Sequence, residues 1–217
     1  MTDFTIDALI AENNMLAFGP EVVEQDRQDI ADMLMYADFF ASQSYPMQDS
    51  WMGWLEYYRS QLIKAGCKLT SPLVKEPMFI TDARELDTIG FGLKGAVRAA
   101  NLIALAHRSL KAARLNDYAS HFFQYATESG SLGRFQVLPC EAIVGTDIVR
   151  ILLLGVHVSA TLNSGWVGGD WRKSREMVVR LGGGLYEFNR SAYAAHRARI
   201  RARLSEVSNF NIRRVSI

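Results

Sequence analysis

Cys140 and His157 lie on adjacent predicted strands and are the one thiol–imidazole pair that such strands could bring together. In a thiol enzyme a nearby base or helix N-terminus stabilises the thiolate, and Asp147 or Glu141 is available here to orient the imidazole. However, Cys140 follows Pro139 inside a predicted strand, and no helix begins after it. The sequence therefore favours an inert, buried cysteine, with a thiol enzyme as a minor alternative.

The remaining candidates for chemistry do not form a metal or cofactor motif. None of the four histidines has the H-E-x-x-H spacing, and two distant cysteines, Cys67 and Cys140, cannot make a zinc ribbon. The glycines at 168–169 and 182–184 lack the phosphate-loop patterns that precede a helix. The sequence therefore predicts no metal and no cofactor, and the protein is expected not to be an enzyme.

Charge is distributed unevenly along a chain whose net charge is +1. Residues 1–60 carry eleven acidic and two basic side chains, and the rest carries twelve acidic and 22 basic ones. This polarity predicts that the two regions pair within one chain, or that copies attract each other head to tail. Two solvated faces are the alternative. The helical period places the acids of the first helix on an exposed face, which is either solvated or binds a partner.

The last predicted helix is rich in arginine, with Arg197, Arg199, Arg201 and Arg203 at alternate positions. A nucleic-acid surface is one interpretation. The overall pI of 7.8 and the lack of a nucleic-acid motif argue against it. We expect instead that these arginines pair with acidic residues, and we take Arg197 and Arg201 as candidates for protein interaction.

The segment 92–115 is predicted to form an amphipathic helix with basic residues on one side. Its candidates for membrane interaction are Lys94, Arg98, Arg108 and Lys111. Such a helix suits the interface of an anionic membrane, and it equally suits a core helix with a charged outer face. Trp166 and Trp171, in a glycine-rich loop, are further candidates for contact with a partner.

Periodicity predicts an α+β fold in one domain spanning 1–217. The predicted helices cover residues 21–41, 50–65, 92–127 and 191–207. The predicted strands cover 134–144, 147–162 and 176–188, with a bend or bulge at 182–184 and a short final strand within 210–217. The N-terminal helices and the long central helix are expected to pack on one face of this antiparallel meander, before the C-terminal helix and final strand. The chain is then helical over 1–128, sheet-rich over 133–188, and helix and strand over 190–217. Fully apolar runs in the second strand indicate that both of its faces are covered.

The second helix contains Trp54-Leu55-Glu56-Tyr57-Tyr58, then Leu62 and Gly66. This resembles the W-x-E-[FY]-Y-x-x-x-L-x-x-x-G signature of a family of small, poorly characterised bacterial and fungal α+β proteins. The strand that begins at Gly133 and ends at Cys140 resembles the G-x-F-Q-[VI]-x-x-C strand of that family. Cys67 departs from the pattern, because relatives place an aromatic residue after the glycine. The resemblance implies an architecture and no activity.

These observations give three hypotheses about function. The first is a non-enzymatic protein that binds a protein partner or assembles with its own copies. The second is a membrane-active effector or toxin that uses the helix at 92–115, with an anionic membrane as its partner, and the third is a thiol enzyme using Cys140. Nucleic acid is not expected as a partner. The acidic N-terminus lacks the basic start of a secretory signal, so a cytoplasmic protein is expected, with signal-independent export as an alternative.

Overall fold

The computed structural model describes residues 7–11, 14–46, 50–73, 75–80, 83–93, 99–115, 126–127, 130–160, 177–207 and 212–216. Its helices are α1 (Glu24–Ser44), α2 (Trp51–Lys64), a 3-10 helix (Ala83–Thr88), α3 (Ala100–Leu115) and α4 (Arg190–Glu206). Its strands are β1 (Asp7–Ala11), β2 (Asn14–Phe18), β3 (Cys67–Pro72), β4 (Met78–Ile80), β5 (Ala126–Thr127), β6 (Gly130–Ala142), β7 (Ile148–Ala160), β8 (Met177–Asn189) and β9 (Ile212–Ser216). The predicted α+β class, the C-terminal helix and the final strand are confirmed.

The strands form a mixed, mostly antiparallel sheet in the order β3-β8-β7-β6-β2-β1-β9. β6, β7 and β8 are the predicted meander, and the turn between the first two contains Gly145 at φ 78°. β4 pairs with β8 beyond the end of β3, and β5 pairs with β6. The sequence analysis missed the β1–β2 hairpin. This hairpin pairs with β9 through β1 and runs parallel to β6 through β2, so the final strand joins a sheet edge far from its neighbours in sequence.

Helices cover both faces of the sheet, so the expectation that they lie on one face was wrong. On one face, α1, α2 and α4 pack around Trp54 and Tyr58 against sheet residues such as Ile151. On the opposite face, α3 and the 3-10 helix cover a second apolar cluster that includes Leu102 and Leu152. The physical reason is the composition of β7, whose consecutive apolar residues need cover on both sides. The prediction that both faces of this strand are covered is therefore confirmed.

The three glycines of β8 allow close packing, and of the predicted bend or bulge, a bulge is contradicted by the pairing with β7. β8 pairs with β7 through Gly182, Gly183 and Gly184 without a change of register. A Cβ on Gly183, whose φ is 134°, would lie 2.0 Å from the carbonyl oxygen of Leu153. A Cβ on Gly182 would lie 2.5 Å from the Leu55 side chain, so the bare backbone lets α2 approach the sheet. The register shifts instead in β3, between Leu69 and Ser71.

The central helix is shorter than predicted. Leu93 forms an isolated bridge with Leu73, and the α-helix begins only at Ala100. Residues 126–127, at the end of the predicted helical segment, form a strand that pairs with β6. Residues 94–98 and 116–125 lie outside the described residues.

Candidate functional site

The proposed thiol–imidazole pair is not brought together. In the register of β6 and β7, Cys140 pairs with Ile151, whereas His157 pairs with Arg134, well along the strands. Cys140 is completely buried, and this burial raises the pKa of its thiol. Its Sγ lies 3.4 Å from the carbonyl oxygen of Leu138. Because burial disfavours the thiolate and the imidazole is distant, Cys140 and His157 do not form a nucleophile and its base.

Three aspartates of α1 face α4 and are almost fully buried. Asp26, Asp29 and Asp32 are 2%, 1% and 5% exposed. The expectation that the acids of this helix are exposed was therefore wrong for these three. Their spacing of three places them on one side of the helix, and the basic helix that covers that side comes from the other end of the chain.

Three arginines of α4 bind these aspartates. Arg190 Nε lies 2.9 and 2.8 Å from the two carboxylate oxygens of Asp26. Arg197 donates to both oxygens of Asp29, at 2.9 and 2.6 Å. Arg201 donates to Asp32 at 2.8 Å and to Asp29 at 3.2 Å. We call these six residues the aspartate–arginine clamp. It pairs acidic residues of the N-terminal region with arginines of the C-terminal helix within one chain, so Arg197 and Arg201 are engaged internally.

A second polar group fixes α1 and α2 to β2. Asp38 accepts hydrogen bonds from Ser42 Oγ at 3.0 Å and from Asn14 Nδ2 at 2.6 Å. Tyr58 donates to Asn14 Oδ1 at 3.0 Å, and Trp54 Nε1 donates to Ser42 Oγ at 3.0 Å. Burial, with Asp38 as a further cause, raises the pKa of Tyr58 well above its usual value. Because these groups satisfy one another, they hold the helices in register and do not form a reactive site.

The outer face of α3 is the first of two basic surfaces. Asn101, Ala104, Arg108 and Lys111 are exposed at helical spacing. On the inner face Leu102, Ala106 and Leu110 are buried in the second apolar cluster. Two of the four membrane candidates, Arg108 and Lys111, therefore point to solvent from a helix whose apolar side is covered. Lys94, Arg98, Trp166 and Trp171 lie outside the described residues.

Few polar contacts hold α3 in place within the described part of the chain. Asn101 Nδ2 donates to Glu141 Oε1 at 2.7 Å, and His107 Nε2 lies 2.9 Å from the carbonyl oxygen of Ile89. A cleft of about 360 Å³ separates the helix from the loop at Gly19 and the end of β6. α3 therefore differs from α4, whose contacts with α1 include several charge-assisted hydrogen bonds.

The comparisons with known proteins assign no family. No family model matches the chain, and no curated protein matches it. A solved structure titled delta-endotoxin is similar at 11% identity with a TM-score of 0.45, over 82% of this chain and 80% of that one. At that TM-score the likeness carries no inference about function. The resemblance built on Trp54 and Tyr58 stays a prediction, and in the structure both side chains are buried packing residues.

The second basic surface is a row across β6, β7 and β8. Arg134 pairs with His157, and His157 pairs with Arg180, so the three side chains share the face on which α2 lies. The Trp51 ring stacks on the His157 ring, with centroids 5.2 Å apart and planes inclined by 24°. Burial, followed by the charges of Arg134 and Arg180, lowers the pKa of His157 to about 4.

His157 was identified from the sequence, but its neighbours Arg134, Arg180 and Trp51 were not. Arg134 and Arg180 each stood within a predicted strand, and Trp51 stood at the start of a predicted helix. The positive charges of Arg134 and Arg180 are visible in the sequence. Only the strand register shows that both side chains flank His157. Among the described residues, no group of three acidic, histidine or cysteine side chains is placed to hold a metal ion. No described helix is long and apolar enough to cross a membrane.

Proposed function

We propose that the protein is a non-enzymatic, membrane-active effector that docks on anionic lipid surfaces through α3. The observation that carries the proposal is that this helix exposes its basic side and buries its apolar side. Arg108 and Lys111 face solvent, and the apolar side, with Leu102 and Leu110, is stored against the sheet. A helix with this pattern lies in the interface of an anionic bilayer once its apolar side is freed.

Charge favours the first contact with the membrane. Each Lys or Arg near an anionic surface contributes about 1 kcal/mol of attraction, which decays within a Debye length. Arg108 and Lys111 are one turn apart, so both can face the same lipid surface while α3 is still packed on the sheet.

The way in which α3 is held favours its release at a membrane. Its buried side chains are stabilised in water by the hydrophobic effect, and acyl chains can replace such contacts because they are equally apolar. Release also breaks the hydrogen bond between Asn101 and Glu141 and the contact of His107 with Ile89. α4, on the opposite face, is fixed by the clamp and is expected to stay in place.

Vesicle binding tests the docking step. The wild-type protein is expected to bind vesicles of phosphatidylcholine and phosphatidylglycerol, and to bind pure phosphatidylcholine much more weakly. The double charge reversal Arg108→Glu/Lys111→Glu should weaken binding to anionic vesicles at least about tenfold. The matched control is Lys68→Glu/Arg199→Glu, which reverses the charge of two exposed basic residues that lie outside α3. Its total charge changes by the same amount, and its binding should fall clearly less than that of the α3 variant. Equal losses in the two variants would contradict docking through α3.

Reversible cross-linking tests the release step. Cysteines introduced by Asn101→Cys/Glu141→Cys would stand where two side chains now meet, and a short bis-methanethiosulfonate reagent would tie α3 to β6. Leakage of dye from anionic vesicles is expected to stop in the cross-linked protein and to return after reduction. The native cysteines are buried and should not react. Undiminished leakage by the cross-linked protein would refute release of α3, and the absence of leakage from the uncross-linked variant and wild type would refute membrane activity.

Self-assembly is the second candidate, and one observation favours it. Phe79 is 76% exposed on β4, a short strand at the edge of the sheet, and exposed aromatic residues on edges are typical anchors for a second copy. The clamp removes the electrostatic reason for head-to-tail assembly, because its charges pair within the chain. We therefore expect a salt-insensitive oligomer in light scattering that Phe79→Glu dissociates and Val144→Glu, at an equally exposed residue, leaves intact. A monomer at every salt and protein concentration would count against assembly.

A further inference from the structure

The described part of the chain contains a cluster of buried polar groups that have no hydrogen-bond partner, at the end of the sheet where α2 begins. Trp51 Nε1 and His157 Nδ1 are both buried and unpartnered, and Trp51 as a whole is 5% exposed. The side chain of Gln136, two residues from Arg134 along β6, is fully buried with both amide atoms unpartnered. Buried polar groups without partners are rare because each costs about 1–3 kcal/mol, so a cluster of them indicates a bound polar group.

The N-terminus of α2 adds positive potential at the same place. The helix is fourteen residues long and begins at Trp51, the residue whose ring stacks on His157. Ser50, the N-cap residue, makes no side-chain capping hydrogen bond, and the first turn contains no acidic residue. The N–H groups of a first helical turn and the helix dipole favour an anion at a helix N-terminus.

Charged side chains complete the arrangement. Arg180 is exposed at the rim of the row, and Arg134 is half-buried on the other side of His157. Both arginines lower the pKa of His157, so the potential around its ring is positive. Among the described residues, the charged side chains that the strand register places beside His157 are Arg134 and Arg180.

We infer that the end of α2 and the row Arg134–His157–Arg180 form a binding site for a phosphate group, with Trp51 Nε1 as a hydrogen-bond donor. Guanidinium groups, ring N–H groups and a helix N-terminus are the donors that bind phosphate oxygens in proteins. A second proton on His157 adds a donor when the anion is present. The phosphate can belong to a lipid headgroup or to a soluble molecule. The site lies on the opposite face of the sheet from α3, and it does not depend on the proposed docking of that helix.

Calorimetric titration with inorganic phosphate tests the site in the full-length protein. We expect saturable binding with a Kd below about 1 mM, weakened at least about tenfold by Arg180→Gln. Arg199→Gln, a neutralised exposed arginine on α4, is the matched control and should bind like the wild type. Trp51→Phe keeps a stacked ring but removes the N–H, and should weaken binding severalfold. Absence of phosphate binding, or equal binding by wild type, Arg180→Gln and Trp51→Phe, would overturn the inference.

Magnetic resonance gives a readout that general loss of stability would not produce. Phosphate should shift the indole N–H resonance of Trp51 and raise the pKa of His157 from about 4. Among the described residues, Arg134 from β6, Arg180 from β8 and Trp51 from α2 face His157, and a bound anion would raise this pKa by offsetting the two positive charges. Unchanged Trp51 and His157 signals at saturating phosphate would place any binding elsewhere and refute the site. Competition by vesicles containing phosphatidic acid, but not by pure phosphatidylcholine, would identify a lipid source. If the protein binds phosphate but these vesicles do not compete, the source of the phosphate is a soluble molecule.

Discussion

Asp29 is the central residue of the clamp, and replacing it by asparagine should destabilise the protein. The change keeps the shape of the side chain but removes its charge, which is shared by Arg197 at 2.6 Å and Arg201 at 3.2 Å. Asn also retains only one acceptor oxygen for these donors and for Gln25, which donates to Asp29 at 3.0 Å. The Asp29 site is nearly inaccessible to water, which cannot readily replace the lost contacts.

The expected loss of stability depends on how deeply Asp29 and its two arginine partners are buried. Removing one member of a buried ion pair costs about 3–5 kcal/mol. The arginine side chains are 32% and 43% exposed, so water can solvate part of their charge after the change. We therefore expect Asp29→Asn to lower the free energy of unfolding by about 2–3 kcal/mol. Asp147→Asn is the matched control, because Asp147 is 63% exposed and 3.9 Å from Arg190, and should cost less than about 0.5 kcal/mol.

Urea unfolding at pH 7, followed by circular dichroism, measures both changes. A double-mutant cycle with Arg197→Gln isolates the contact, and we expect the two changes to be coupled by about 1–2 kcal/mol. The reasoning is refuted if Asp29→Asn costs no more than Asp147→Asn, or if Asp29→Asn and Arg197→Gln are additive. Either result would mean that the clamp does not hold α4 on α1 in solution.

The remaining predictions concern buried groups and glycines. Folding keeps His157 neutral down to about pH 4, whereas an unfolded histidine titrates near 6.5. Unfolding therefore takes up a proton between these values, and stability should fall by about 1–2 kcal/mol from pH 7 to 4, after allowing for partial exposure. In phosphate-free buffer, His157→Gln should lose this part of the pH dependence of urea unfolding, and an unchanged dependence would argue against a lowered pKa. Gly183→Ala places a Cβ 2.0 Å from the Leu153 carbonyl oxygen, so it should prevent folding or lower the free energy of unfolding by more than about 3 kcal/mol. Gly145→Ala has open space around its Cβ, and in the same unfolding assay it should lower the free energy of unfolding by about 1 kcal/mol. Similar losses for the two variants would contradict the close approach of β8 to β7. Cys140 should react with iodoacetamide at least about a hundredfold more slowly in the native protein than in urea, and rapid native labelling, measured by mass spectrometry, would revive the thiol hypothesis.

The sequence predicted the elements whose signals are local. In α2, the apolar stripe of Trp54, Leu55 and Tyr58 follows the helical period, and these side chains are buried. Gly66 has φ 95° just after this helix, a conformation that glycine adopts without strain, and a glycine at this place is a local signal for the end of a helix. The hairpin at Gly145 was likewise predictable from turn composition. In each case residues close in sequence are sufficient to select the conformation.

The functional surfaces depended on contacts between distant residues. A strand pattern shows which residues alternate but not which strand it pairs with, so the parallel pairing of β2 with β6 and the row through His157 required the tertiary structure. Contacts between distant residues also explain why the acids of α1 are buried. The helical period predicted that the acids of α1 would be exposed, and only the return of α4 from the far end of the chain supplies the arginines that make the burial of Asp29 favourable. The composition thus determined that opposite charges would attract, and the fold decided that they meet within one molecule.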